Sequence, residues 1–426
     1  MIEKGFWRGY WPLLISLGAV QISQQLDIVM LRPAGSEAQS AYALLARLAM
    51  IDTALMTAVG AVASTTVAQK RRTTDVSALD GALLLSLLSG IACAAGAFVL
   101  YPGVATLAAG DGPVSTLIAA GIGLYAVTTP LRFLVNSSVL MLHALNDGAA
   151  VVRWKVIELA LKFVGNLLFI DYLGGGFSGC FASGLLVASI SAAWCWRALA
   201  AHRETPLRLP TLSFATGFFR SAAWEAQRTL AIHLAIFAGV ALFATPSLGH
   251  YELARLSAYA TGQTLMLAII APLLALTRFL SFRLARLDAA DVAPFARDLW
   301  LRGAPIACLA ALALFASRDP LGNLYGQAGP WWSSMIAAIA VSLPIRHSAN
   351  VARAGLFARG AFAVVAITDS VALWSCGVPL LALGLLVDAP EVAYLSLIVP
   401  EAACAQRFWR SLPLAPPHRA SGNLAH

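Results

Sequence analysis

The chain has 426 residues, of which 59% are hydrophobic and only 12% charged, with a formal net charge of +8. Soluble domains carry about 25% charged residues, so too little polar surface is available to keep this fold wet. A soluble globular protein is excluded, and most of the surface must face lipid. In chain order, apolar stretches give about twelve candidate crossings: 12–31, 41–67, 79–101, 114–141, 153–171, 177–196, 220–245, 252–278, 303–317, 331–352, 361–387 and 390–408. Most reach the roughly 20 residues that a helix needs to cross hydrocarbon. The stretch 303–317 is short and reads as broken or tilted. Alternating ten-residue barrel segments do not occur. The first crossing is polar in its middle and lacks a small-residue cleavage site after a short apolar core, so it reads as a mature helix and not a signal peptide. The expected fold class is therefore an all-α integral membrane protein of about twelve transmembrane helices.

The longest polar interval between crossings six and seven covers 197–219 and holds His202, Glu204, Pro206, Arg208 and Pro210. It sets an N-lobe at 1–200, a cytoplasmic linker at 201–219 and a C-lobe at 220–412. Residues 281–302 read as a cytoplasmic amphipathic stretch, and the Pro-rich tail at 413–426 as disordered. Lys and Arg crowd the ends and alternate loops (Lys4, Arg8, Lys70, Arg71, Arg72, Arg153, Lys155, Arg353 and Arg359 among them), while the opposite loops carry only Arg32 and Arg318. Both termini are then cytoplasmic. The positive charge is mostly this bias and gives no reason to invoke nucleic acid.

The chain repeats itself. Pro130-Leu131-Arg132-x-x-x-Asn136 recurs as Pro344-Ile345-Arg346-x-x-x-Asn350, about half a chain length later. Trp196-Arg197-x-Leu199 returns as Trp409-Arg410-x-Leu412, and Leu45-Ala46-Arg47-Leu48 as Leu253-Ala254-Arg255-Leu256. Echoes in order and at nearly one offset indicate duplicated, pseudo-symmetric six-helix bundles, the way many secondary transporters are built around a central polar site.

Ionisable groups inside crossings are costly and are site candidates by default. Gln21, Gln24 and Asp27 share one face of the first helix, a stripe that should turn from lipid toward the bundle or a wet cavity. A carboxylate there can take up a proton or a sodium ion and release it when its surroundings change; the alternative is a structural hydrogen bond to a neighbouring helix. Arg47 and Asp52 lie poorly placed to pair with each other, so each should meet another helix. Glu158 and Lys162 stand at i, i+4 in the favourable order and read as a self-neutralising pair. Arg132/Asn136 and Arg346/Asn350 each stack on one face after a proline that frees a carbonyl. They either line a cavity or snorkel to headgroups. With Arg47 and Arg255 duplicated too, the cavity reads as cationic, which points to anionic or zwitterionic cargo. Asp369 completes the second lobe's candidates.

The six cysteines are scattered without Cys-x-x-Cys spacing, so neither disulfides nor a metal site are expected. No phosphate loop, His-Glu-x-x-His or Gly-x-Ser-x-Gly motif occurs. The chain does not read as an enzyme.

Several stretches resemble the multidrug and toxic compound extrusion (MATE) family, within the superfamily that includes polysaccharide and lipid-linked oligosaccharide flippases. They are Asp27 through Gly35; Asn166 followed by Gly174, Gly179 and Ala182; and Asp369-x-x-x-x-Trp374-x-x-Gly377-Val-Pro379, then Tyr394, Glu401 and Arg407. The resemblance implies two six-helix lobes arranged as a V and export driven by inward proton or sodium flow, with Asp27 at the position of the family's coupling acid. Asp27, Asp52, Gln24 and Asn166 are the cation-coupling candidates. Arg47, Arg132, Asn136, Glu158, Arg255, Arg346, Asn350 and Asp369 are the cavity candidates. The family often places another carboxylate four residues after the fifth-span Asn; here that position is Ile170, with Asp171 one further on. Its Gly-Gly-Asp after span ten reads Arg359-Gly360-Ala361, and Arg32 replaces a glycine. These departures mark a divergent member with unusual cargo or coupling.

The function expected is a secondary active exporter, a cation antiporter of the bacterial-type inner membrane. It would move a small organic molecule, such as an anionic metabolite or siderophore-like compound, by alternating access. It would act as a monomer in membrane lipid, without a cofactor beyond the coupling ion, H⁺ or Na⁺. The alternative is a flippase for a lipid-linked, phosphate-bearing substrate.

Overall fold

A computed structural model describes residues 4–31, 37–38, 41–42, 45, 49–70, 77–109, 113–203, 209–245 and 253–413. Among these residues the regular structure is helical, as a lipid-exposed chain requires when its backbone must satisfy its own hydrogen bonds. The chain divides into two compact units, Met1–Ala226 and Gln227–His426.

In the first unit, α1 is Lys4–Met30, α2 Met50–Lys70, α3 Ser77–Ala109, α4 Pro113–Ala144, α5 Gly148–Asn166 and α6 Gly176–Ala200. Helix α7, Leu212–Ala244, holds the division between units and starts upstream of its apolar stretch. The second unit continues with α8 (Leu253–Leu284), α9 (Ala289–Ala316), a short α10 (Arg318–Tyr325) and α11 (Pro330–Ala358). It closes with α12 (Phe362–Ala372), α13 (Val378–Leu386), α14 (Pro390–Tyr394) and α15 (Val399–Ser411). Among the described residues, ten helical stretches are long and apolar enough to cross a membrane. The fifth and twelfth crossings of the sequence reading correspond to interrupted helical runs, 148–172 and 390–411.

Two interruptions correspond between the units. The fifth crossing helix of each contains a π-helical stretch, Leu167–Tyr172 in the first and Leu373–Gly377 in the second. Such turns widen the backbone locally and are frequent at functional sites. Pro130 and Pro344 sit inside α4 and α11, which continue past them. One expectation is corrected. Residues 281–302 are not a separate amphipathic stretch: α8 runs to Leu284, Asp288 has an extended backbone, and α9 then runs unbroken from Ala289 to Ala316. Hydropathy marked only the apolar half of that helix. Its other half carries the exposed i, i+4 pair Arg302–Asp298 at 2.8 Å.

Helices in lipid gain little from apolar burial and associate through close packing, which small residues permit. A Cβ added at Gly90 of α3 would stand 2.7 Å from the Pro130 backbone of α4. The second unit builds its interior on aromatic rings: Phe243 and Tyr259 stack at 4.4 Å, and Trp331 meets Tyr394 edge-on at 5.8 Å. Gly90→Val should push α3 from α4 and cost about 1–3 kcal/mol, seen as a lower melting temperature in detergent. Gly96→Val, where nothing lies within 4 Å, should leave it unchanged.

Candidate functional site

The first unit holds a cavity of about 240 Å³. Helix α1 presents Ser16, Val20, Ser23 and Asp27 to it, a spacing that keeps them on one face. Helix α4 adds Tyr125, Arg132 and Asn136; α5 adds Lys155, Glu158 and Lys162; α6 adds Phe181 and Ser191. Apolar walls come from residues such as Leu17, Leu45, Met56 and Val139.

Asp27 is 6% exposed and fully engaged. The Tyr42 hydroxyl donates to Oδ2 at 2.7 Å, and the Asn166 side-chain amide donates to Oδ1 at 2.8 Å. Lys162 Nζ lies 3.0 Å from the same Oδ1 and also donates to the Cys180 carbonyl at 3.2 Å. Lys162 and Asn166 are one helical turn apart on α5, so both reach the carboxylate from one face. This corrects the expected Glu158–Lys162 pair. Glu158 instead accepts from Lys155 at 2.8 Å and from Ser191 at 3.1 Å. The i, i+4 geometry permitted either partner. A buried Asp27 without a cation would cost far more than a surface pair returns.

Asp52 and Arg132 pair at 2.8 Å, joining α2 to α4, and the guanidinium also lies 4.0 Å above the Tyr125 ring. One turn along, Asn136 donates to the Met56 carbonyl at 3.1 Å. The helices approach closely there: a Cβ on Gly60 would meet the Asn136 amide at 2.6 Å. Arg132 and Asn136 thus share the expected face, and that face is turned to α2 as well as to the cavity. Three carboxylates (Asp27, Asp52, Glu158) meet three cations (Arg132, Lys155, Lys162) around the chamber. Among the described residues, each of these three cations is therefore matched by a carboxylate. Beyond Asn166 the π-helical stretch puts Ile170 in an apolar cluster with Leu31 and Cys180, and leaves Asp171 exposed.

In the second unit Asp369 is held by Arg353 at 2.8 Å and Arg228 at 3.4 Å. Asn350 accepts from Arg353. Arg346 pairs with Glu401 at 2.7 Å. These groups form one part-buried network joining α7, α11, α12 and α15. Arg255 pairs with Asp388 at 3.2 Å and lies over the Trp331 ring at 4.6 Å. Arg47 lies outside the described residues, as does the side chain of Gln24.

Sequence reasoning missed several participants. Lys155 and Arg353 counted only as cytoplasmic flanking charge, yet both are buried. The signals were Lys155-x-x-Glu158 and Asn350-x-x-Arg353, each at an i, i+3 spacing. Tyr42 left no signal, because nothing local says a phenol will reach a carboxylate on another helix. Asp52→Asn or Arg132→Met alone strands a partly buried charge and should cost about 3 kcal/mol. The double variant should recover part of that loss, measured as a coupling energy by unfolding in detergent.

No protein-family model and no curated protein matches the sequence. Solved structures do. The Vibrio cholerae MATE transporter VcmN in its bent form superposes with a TM-score of 0.84 at 15% identity, covering 96% of this chain and 95% of that one. A MATE structure in a bent conformation gives 0.80 at 16% identity, over 95% of this chain and 93% of that one. A MOP superfamily transporter from Pyrococcus furiosus gives 0.79 at 15% identity, over 96% and 94%. For that protein, reversed polarity of the binding pocket suggests a different function. At this identity the likeness establishes the fold, and the fold is that of the MATE transporters, as the sequence resemblance implied.

Proposed function

We propose that the chain is a secondary active exporter, a cation antiporter that carries a small organic molecule out of the cytoplasm by alternating access. One observation carries this reading: the buried Asp27 carboxylate ties α1 to Tyr42 and to α5 through three donors, each held more strongly by its negative charge. A proton or sodium ion taken up there changes the attraction of every one of those donors. It thereby shifts the balance between conformations that hold Asp27 differently. A shift of this kind needs differential binding and no covalent chemistry.

The cavity supports a small organic cargo, because apolar walls surround a few placed ion pairs, the usual make-up of a small-molecule site. An anionic metabolite or siderophore-like compound would bind by taking Arg132 from Asp52 or Lys155 from Glu158. A lipid-linked diphosphate calls for standing positive charge. Arg132 and Arg346 are each engaged with a carboxylate, which favours the exporter over the flippase. On this reading the protein works as a monomer, multi-pass in a bacterial-type inner membrane, with both termini cytoplasmic.

The test is efflux of a panel of small organic compounds from reconstituted vesicles, with proton and sodium gradients imposed separately. Asp27→Asn should insert normally and lose gradient-driven export. Undiminished transport by that variant refutes the coupling role.

A further inference from the structure

Asp27 carries its counter-ion on its own chain. The Lys162 ammonium sits 3.0 Å from Oδ1, with the two side chains only 7% and 8% exposed. The other acceptor it reaches is the Cys180 carbonyl at 3.2 Å, so carboxylate and carbonyl oxygens together form the cradle. Oxygens of this kind suit a hard metal cation. The side-chain oxygen of Asn166 is also fully buried, with no hydrogen-bond partner among the described residues. Among the described residues two other cations line the same chamber, but Arg132 belongs to Asp52 and Lys155 to Glu158. Neither competes for Asp27.

We propose that Lys162 is the tethered cation of the Asp27 site and determines its ion specificity: while its ammonium is in place, the site takes no free sodium ion. A sodium ion at Oδ1 would have to stand against the ammonium, and the Cys180 carbonyl it needs is already engaged. Lys162 reaches Asp27 at the expense of Glu158, its i, i+4 neighbour, which is satisfied by Lys155 and Ser191 instead. The arrangement therefore spends a lysine on Asp27 that helical spacing offers to another acid. Removing that one charge leaves two neutral donors, Tyr42 and Asn166, and a vacated cradle of oxygens.

The inference deepens the exporter reading and rests on it only for its meaning in coupling, so the experiment reads ion binding and no transport. Purified full-length protein in detergent is melted in equimolar sodium chloride and choline chloride, and binding of radioactive sodium is measured alongside. Wild type should melt at the same temperature in both salts and bind no sodium. Lys162→Met should gain a saturable, sodium-specific rise in melting temperature, and adding Asp27→Asn should abolish it. Sodium binding by wild type that Asp27→Asn removes overturns the assignment, as does a folded Lys162→Met without any sodium response. Lys162→Gln, which keeps a hydrogen-bonding side chain, serves if the methionine variant does not fold. If neither folds, the wild-type measurement decides, indifference to sodium upholding the assignment. Sodium indifference in wild type with gain in the variant, but no efflux from vesicles, would sink the exporter reading and leave this one standing.

Discussion

Charge buried beneath apolar helices has to be cancelled where it stands. In the low dielectric of a membrane protein's interior an unpaired carboxylate or guanidinium is far costlier than at a wet surface, and the pairs that cancel it fix which helices lie side by side. Asp27 commits α1 to α5 through Lys162 and Asn166. Asp52 commits α2 to α4 through Arg132, with the Asn136–Met56 contact one turn along acting as a second rung. In the second unit Arg353 draws α11 to α12 through Asp369. The rest of the packing, with its small residues and stacked rings, fills in around these commitments.

The same constraint makes the site responsive. A pair that is stable only while both members are charged becomes a switch once one member gains or loses a charge. Asp27 is the strongest case, since two of its three donors come from α5 and the third is Tyr42. Among the described residues, the charges around it are paired and not absent. A cargo group or ion that enters must displace an existing partner, and that makes selectivity a competition between partners.

The two units echo each other in backbone more than in chemistry. The repeated Pro-x-Arg-x-x-x-Asn motif lies on α4 and α11, and π-helical stretches recur in the fifth crossing of each unit. The contacts differ. Arg132 finds its acid on α2, whereas Arg346 finds Glu401 on α15; Asn136 donates to a backbone carbonyl, whereas Asn350 accepts from Arg353. The repeated motifs share a helical spacing, and the acids opposite them stand on different helices.

Composition and hydropathy were enough to read a helical membrane protein, because a lipid solvent leaves few other options. Helical spacing was enough to group Arg132 with Asn136 and to turn Asp27 away from lipid. The likeness to MATE transporters was also legible, in the stretches around Asp27, Asn166 and Asp369. Hydropathy failed on α9, whose charged half it took for a separate stretch, since it registers apolarity and not hydrogen-bonded continuity. Partner choice could not be read at all. Spacing says which side chains share a face of one helix, and Glu158 with Lys162 satisfied that rule. Which charges meet is decided across helices, where Asp27 on α1 took Lys162 and left Glu158 to Lys155. Only the tertiary packing brings those groups within hydrogen-bond reach, and at that distance in a dry interior the nearest opposite charge wins.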